Sequence, residues 1–228
     1  MLKPKKKIKK REVEKEPLVE RVEKVEEFIT NNSKLVTGLA VGLVVVVLVV
    51  ILMFRSKAKA NRQASGELGI AELSLARGDT SDAVLRLEDI TAQYPGTNSA
   101  SFAYALLGKI ALSRGNYIEA EDYFNNYLKE NKKKDIFTVQ VLNNLANCYY
   151  IQGDYSAAAQ KYLEAAELSP YAFQKNSSLL NAAQCYLKSS ELERVQELVS
   201  RIKNNKPKEN EIKTKLDQLE NQLAARNI

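Results

Sequence analysis

Two kinds of side chain in this chain are spaced as if for chemistry. Cys148 and Cys185 stand 37 residues apart, each followed by a tyrosine, Tyr149 and Tyr186. Asn143, Asn144 and Asn147 crowd five positions, and Asn181 and Gln184 repeat two of them 37 residues on. A carboxamide offers a donor and an acceptor together. A row of them can pair with the backbone of an extended peptide whatever its side chains. The sequence has no His. That removes Ser-His-Asp and Cys-His nucleophilic catalysis and every His-ligated metal site. Two Cys make neither a four-Cys zinc site nor a disulfide framework. No nucleophile–base pair or metal cluster is left to propose. The expectation is a binding protein, not an enzyme, with no cofactor.

The elements that position these residues are helical. The chain has 228 residues, enough for one or two domains, with 45% hydrophobic and 27% charged residues. Mean hydropathy is −0.34, so most of the chain is soluble. Nine Gly and five Pro are too few for long flexible linkers.

Leu35 to Phe54 form a 20-residue stretch without a charge, bounded by Lys34 and Arg55. At about 1.5 Å per residue a helix of that length spans roughly 30 Å, the thickness of a bilayer's hydrocarbon core. We expect a single transmembrane helix over 35–54. Ala58-Lys59-Ala60 resembles a signal-peptidase site, but the apolar run is too long and a charged tail precedes it, so the anchor is expected to be uncleaved. Residues 1–34 carry 11 Lys or Arg against 7 Glu, net +4, with six Lys in the first ten residues. The positive-inside rule keeps such a tail in the cytoplasm. The nearest flanks tie, with Lys15, Arg21, Lys24 and Lys34 before the stretch and Arg55, Lys57, Lys59 and Arg62 after it. The whole tail breaks the tie, and the long segment that follows translocates largely regardless of charge. The lysines suit anionic lipid headgroups. Nothing aromatic is interleaved with them, so nucleic acid is not expected as a partner. Leu18, Val22, Val25 and Ile29 recur at helical spacing and predict a short amphipathic helix before the membrane. Gly38 and Gly42 form a G-x-x-x-G, a candidate packing face for another membrane helix.

Residues 64–209 repeat. Leu145-Ala146, Tyr149, Gly153-Asp154-Tyr155, Ala158, Tyr162, Ala165 and Pro170 make the clearest copy. Leu107-Gly108, Gly115-Asn116-Tyr117, Ala120 and Phe124 fall into register 38 residues earlier, and Ile70-Ala71, Gly78-Asp79, Ala83 and Leu87 a further 37 earlier. Ala182-Ala183, Tyr186, Ser190, Val195 and Pro207 follow as a fourth copy. This resembles the tetratricopeptide repeat, a helix pair whose small residues mark close crossings and whose large ones fill the space between. The resemblance implies an all-α solenoid of about four helix pairs, at 64–97, 101–134, 139–172 and 176–209. A connector at 55–63 precedes them and a capping helix at 210–228 follows, striped by Ile212, Leu216, Leu219 and Leu223. Ser190 replaces a turn glycine in the fourth copy, and Lys132 replaces the closing proline of the second. The copies are a few residues longer than the family's, which predicts longer loops. Equivalent positions on neighbouring helices lie too far apart for a disulfide, so Cys148 and Cys185 are expected as two buried thiols.

The resemblance also assigns concave positions. Lys109, Asn143, Asn144, Asn147, Tyr150, Asn181, Gln184 and Leu187 become a candidate groove for an extended peptide. Asn143, Ser177 and Asn181 stand where repeats that grip a terminal carboxylate would need basic residues, so that ligand is not expected. The order of parts, with Val22, Val25, Glu27-Phe28-Ile29, Asn32 and Lys34 leading into the apolar stretch, looks like the YfgM-type ancillary subunit of the bacterial Sec translocon. That resemblance implies a single-pass inner-membrane protein with periplasmic repeats that assists protein export. Its implied partners are the SecYEG channel and a PpiD-type membrane-anchored chaperone. Two other layouts share these features: a structural subunit of another envelope complex, and an organelle import receptor with cytosolic repeats.

Overall fold

The structure, a computed structural model, describes residues 17–131 and 133–226. The lysine-rich start of the tail and Lys132 lie outside the described residues. Ten α-helices and no strand are present among the described residues. The chain divides into two units, 1–56 and 57–228.

In the first unit, α1 (Pro17–Asn31) opens on a proline, whose fixed φ suits the first helical position. Its Val22, Val25, Phe28 and Ile29 are exposed. α2 (Ser33–Ala76) follows and runs 44 residues without a break. Residues 55–63, the connector, are helical. The most apolar window of α2 is long enough to cross a membrane, and none of it is buried inside the chain.

The second unit is a stack of helix pairs. The end of α2 packs on α3 (Thr80–Gln93) through Ala64, Ala71, Leu87 and Ile90, and α4 (Asn98–Ser113) pairs with α5 (Tyr117–Glu130), α6 (Ile136–Gln152) with α7 (Tyr155–Leu168), and α8 (Ala172–Lys188) with α9 (Leu192–Asn204). α10 (Asn210–Ala224) closes the end against α8 and α9. The extra residues of each copy lie in the first helices, not in the loops as expected. α4, α6 and α8 have 16 or 17 residues against 13 or 14 for the second helices.

Small residues bring the helices together. Ala71, Ala146 and Ala183 in first helices, and Ala83, Ala120 and Ala158 in second helices, are all 0% exposed. At Gly108 even a methyl group has no room: a Cβ there would stand 2.6 Å from Cε1 of the buried Phe124 ring. The turns inside the pairs share one device. The backbone N–H of Asp79, Asn116, Asp154 and Glu191 donates back to the carbonyl of Ser74, Ala111, Tyr149 and Tyr186. The residue before each donor is left-handed, glycine in three turns and Ser190 at φ 63° in the fourth. Asp79 and Asp154 then cap the next helix by accepting from Asp82 N–H and Ala157 N–H. Where the second copy lacks its proline, Tyr127, Asn131 and Thr138 bond to one another and Thr138 Oγ1 donates to the Lys133 carbonyl, which holds the 131–135 loop.

Candidate functional site

The first helices line one side of the stack, and their candidate residues separate into free and occupied groups. Lys109 of α4 is exposed, as is Asn181 of α8. Asn144 and Asn147 of α6 are half-buried. Tyr150 is also half-buried and meets the Tyr155 ring edge-on at 5.4 Å.

Three more candidates are engaged within the fold. Asn143 is not a free amide: its Nδ2 donates to the Val139 carbonyl at 2.9 Å, and its Oδ1 accepts from Ser178 Oγ at 2.9 Å. It staples α6 to α8. Gln184 is engaged as well, with Nε2 donating to Gln222 Oε1 of α10 at 3.3 Å. Leu187 is buried in the C-terminal core, and its carbonyl accepts from the Arg226 guanidinium. The closing helix, whose apolar stripe buries itself on α8 and α9, walls the fourth repeat's share of the groove and leaves a cleft of about 560 Å³ lined by Tyr150, Gln184, Leu187 and Lys188 with Gln222 and Arg226.

The groove along the first three repeats is open as well. An indentation of about 180 Å³ is lined by Phe102 and Leu106 of α4, Phe137 and Asn144 of α6, with Glu72 and Lys109 also on its wall. The Phe102 and Phe137 rings meet edge-on at 4.7 Å. Sequence reasoning missed Glu72 and Phe137. Glu72 is findable, since it holds the ninth place of the first copy, as Lys109, Asn147 and Gln184 do in theirs. Phe137 escaped because the third copy was started at 139, whereas α6 begins at Ile136. An apolar floor with amides and both signs of charge on its wall can seat an extended chain by backbone pairing and one bulky side chain.

Cys148 and Cys185 lie inside the repeat stack. Both are free and buried. Burial, with Glu121 nearby, pushes the Cys148 thiol up to about 11, and burial pushes Cys185 up to about 12. Neither carries thiolate at neutral pH, so neither is a nucleophile or a ready metal ligand. No group of three or more His, Cys, Asp and Glu that could hold a metal occurs among the described residues. Gly38 and Gly42 of α2 are exposed, with nothing within 4 Å of a Cβ at either position.

A family model described as tetratricopeptide repeat matches residues 68–136 and 106–173. A tetratricopeptide repeat protein from Parabacteroides merdae superposes with a TM-score of 0.59 at 17% identity, over 73% of this chain and 62% of that one. The kinesin light chain-like repeats of Podospora anserina give 0.55 at 14% identity, over 73% and 90%. PilF of Pseudomonas aeruginosa gives 0.52 at 18% identity, over 72% and 69%. No curated protein sequence matches the chain significantly. The helix pairs over 68–173 match the tetratricopeptide repeat, and the stack as a whole is a tetratricopeptide-like helical solenoid, a fold that typically serves as a non-catalytic scaffold for protein–protein interaction.

Proposed function

We propose that this protein is a membrane-anchored adaptor that assists protein export at the bacterial Sec translocon. Its anchor is α2 over residues 35–54, its N-terminal tail is cytoplasmic and its repeats are periplasmic. There the repeats meet a membrane-anchored chaperone of the PpiD type, or emerging clients, beside the SecYEG channel.

The observation that carries the reading is the uncovered apolar face of α2. Leu39, Leu43, Leu48, Leu52 and Phe54 are all more than half exposed, and none of the described residues buries this stretch. Apolar surface that continuous marks a membrane or protein contact. A lipid bilayer satisfies it around the whole helix circumference, as a one-sided protein contact does not. The repeats add an interaction fold with an open groove. The layout of tail, lead helix, anchor and repeats supports the export role by its resemblance to the YfgM-type subunit.

The test is purification of the full chain from native membranes in mild detergent, with quantification of channel subunits and a periplasmic chaperone. Their enrichment over a tagged, unrelated single-pass protein is the expected result. Recovery of a different envelope complex without them would replace this reading with that of a structural subunit.

A further inference from the structure

The repeats bury one face of each first helix against the pair before it. Three positions per copy do this. They are Ala103, Leu107 and Ile110 in the second copy, Val141, Leu145 and Cys148 in the third, and Ser178, Ala182 and Cys185 in the fourth. Eight of these nine are buried, with Leu107 at 2% and Leu145 and Ala182 at 0% exposure; Ile110 is partly buried. α3, α5 and α7 cover them by packing on α4, α6 and α8. In the first copy the same places are Gly66, Ile70 and Leu73 of α2, and all three are exposed among the described residues. Ile70 is 44% exposed and Leu73 48%. The opposite side of the same helix is closed, with Ala64 and Ala71 at 0%. At the far end of the stack, α10 buries its own stripe and turns a polar face outward. A repeat array needs such a cap at each end, and this array has one at its C-terminal end alone among the described residues.

Charge defines what fits. At 100° per residue, Lys59, Arg62 and Arg77 share the arc of Gly66, Ile70 and Leu73, so cations stand at both ends of an apolar stripe. All three are exposed or half-exposed, and the carboxylates of this stretch are turned away from them. Glu67 lies 3.8 Å from Arg86, and Glu72 lines the groove. A second copy of this face would bring the like charges together. We propose that the first helix of the repeat domain is a docking face for an amphipathic helix of a partner protein that carries acidic residues around its apolar stripe. That helix takes the place a preceding repeat's second helix would occupy. The chain's own α5 is of this kind, with Glu119, Glu121, Asp122 and Glu130 against Lys129, and it covers the corresponding face of α6. The inference stands apart from the export reading, since it holds on either side of a membrane.

The experiment uses the full chain in lipid nanodiscs and, as probe, a fluorescein-labelled peptide of residues 116–131, titrated by anisotropy. Saturable binding is expected. Ile70→Asp with Leu73→Asp should weaken it at least tenfold, and so should Arg62→Glu with Arg77→Glu. Phe137→Ala in the groove should leave it unchanged. All five substituted side chains are exposed, so circular dichroism should find the fold retained. Absence of saturable binding overturns the proposal, as does equal binding of a scrambled peptide or indifference to both variant pairs. A wild-type dimer in sedimentation that the Ile70/Leu73 variant turns into a monomer would also overturn it, by making a second copy the occupant.

Discussion

Gly108→Ala tests the helix packing at its tightest point. A helical glycine replaced by alanine ordinarily gains about 0.5–1 kcal/mol. Here the new Cβ would stand 2.6, 2.7 and 3.0 Å from Cε1, Cδ1 and Cζ of Phe124. Ordinary carbon contacts begin near 3.5 Å. The ring cannot swing away, because it is 0% exposed and packed among Ala105, Tyr127, Val141 and Leu145. Either α4 and α5 separate or the ring leaves its rotamer. Overpacking of this kind costs typically 1–3 kcal/mol. Net of the propensity gain, a loss of about 1–2 kcal/mol is expected, or roughly 2–8 °C in Tm for a domain of this size. Gly69→Ala is the control, since nothing lies within 4 Å of its Cβ and it should be neutral or stabilising. Phe124→Leu, which costs stability alone, should cost less when combined with Gly108→Ala, a coupling that a double-mutant cycle in urea measures. If Gly108→Ala raises Tm as Gly69→Ala does, the α4–α5 crossing is not as close as described.

Ala158→Asp should unfold the third repeat, because Ala158 is fully buried between helices and an unpaired carboxylate there is costly, whereas Asn144→Ala should stay within about 0.5 kcal/mol; equal melting temperatures would refute the register. Ser190→Gly should stabilise by roughly 0.5–1 kcal/mol by relieving a left-handed serine, and Gly153→Ala, at φ 85°, should destabilise by a similar amount, both read from urea midpoints. Cys148 and Cys185 have thiol pKa values raised on folding, so their contribution is full below about 8.5, the unfolded value, and is lost as pH rises through about 11 and 12. Urea midpoints should therefore fall above pH 8.5, less steeply in the Cys148→Ala/Cys185→Ala variant; an unchanged slope would contradict the burial of the thiols.

The repeat register was legible because helix crossings impose it. Where two axes approach closely, only Gly or Ala fits, and Ala71, Gly108, Ala146 and Ala183 recur for that reason alone. The turn residues were legible too, since Gly78, Gly115 and Gly153 all take the left-handed conformation their place in the pattern implies. Helix starts were not. A fourth turn can be added at the start of α4, α6 and α8 without disturbing the crossing, so the small-residue pattern is blind to it, and Phe137 was lost that way. The groove was half legible. A sequence shows that Asn143 carries an amide, but not that Ser178, 35 residues on, takes its oxygen. Nor does periodicity show that α10 folds back on α8, which turns the surface around Gln184 and Leu187 into a cleft walled by Gln222 and Arg226. The open first repeat is the reverse case. Ile70 and Leu73 hold the same places in the pattern as their buried counterparts, and they are exposed because no helix among the described residues packs on them as α3, α5 and α7 pack on the later first helices.

The central claim is a single-pass anchor with the repeats on the far side of the membrane from the tail. A dual reporter fused after Ile228, active as a phosphatase only in the periplasm and as a β-galactosidase only in the cytoplasm, tests it directly in bacterial cells. The account predicts phosphatase activity from full-length fusion protein that stays in the membrane pellet after carbonate washing. Cytoplasmic β-galactosidase activity, or a fusion released by carbonate, would contradict it.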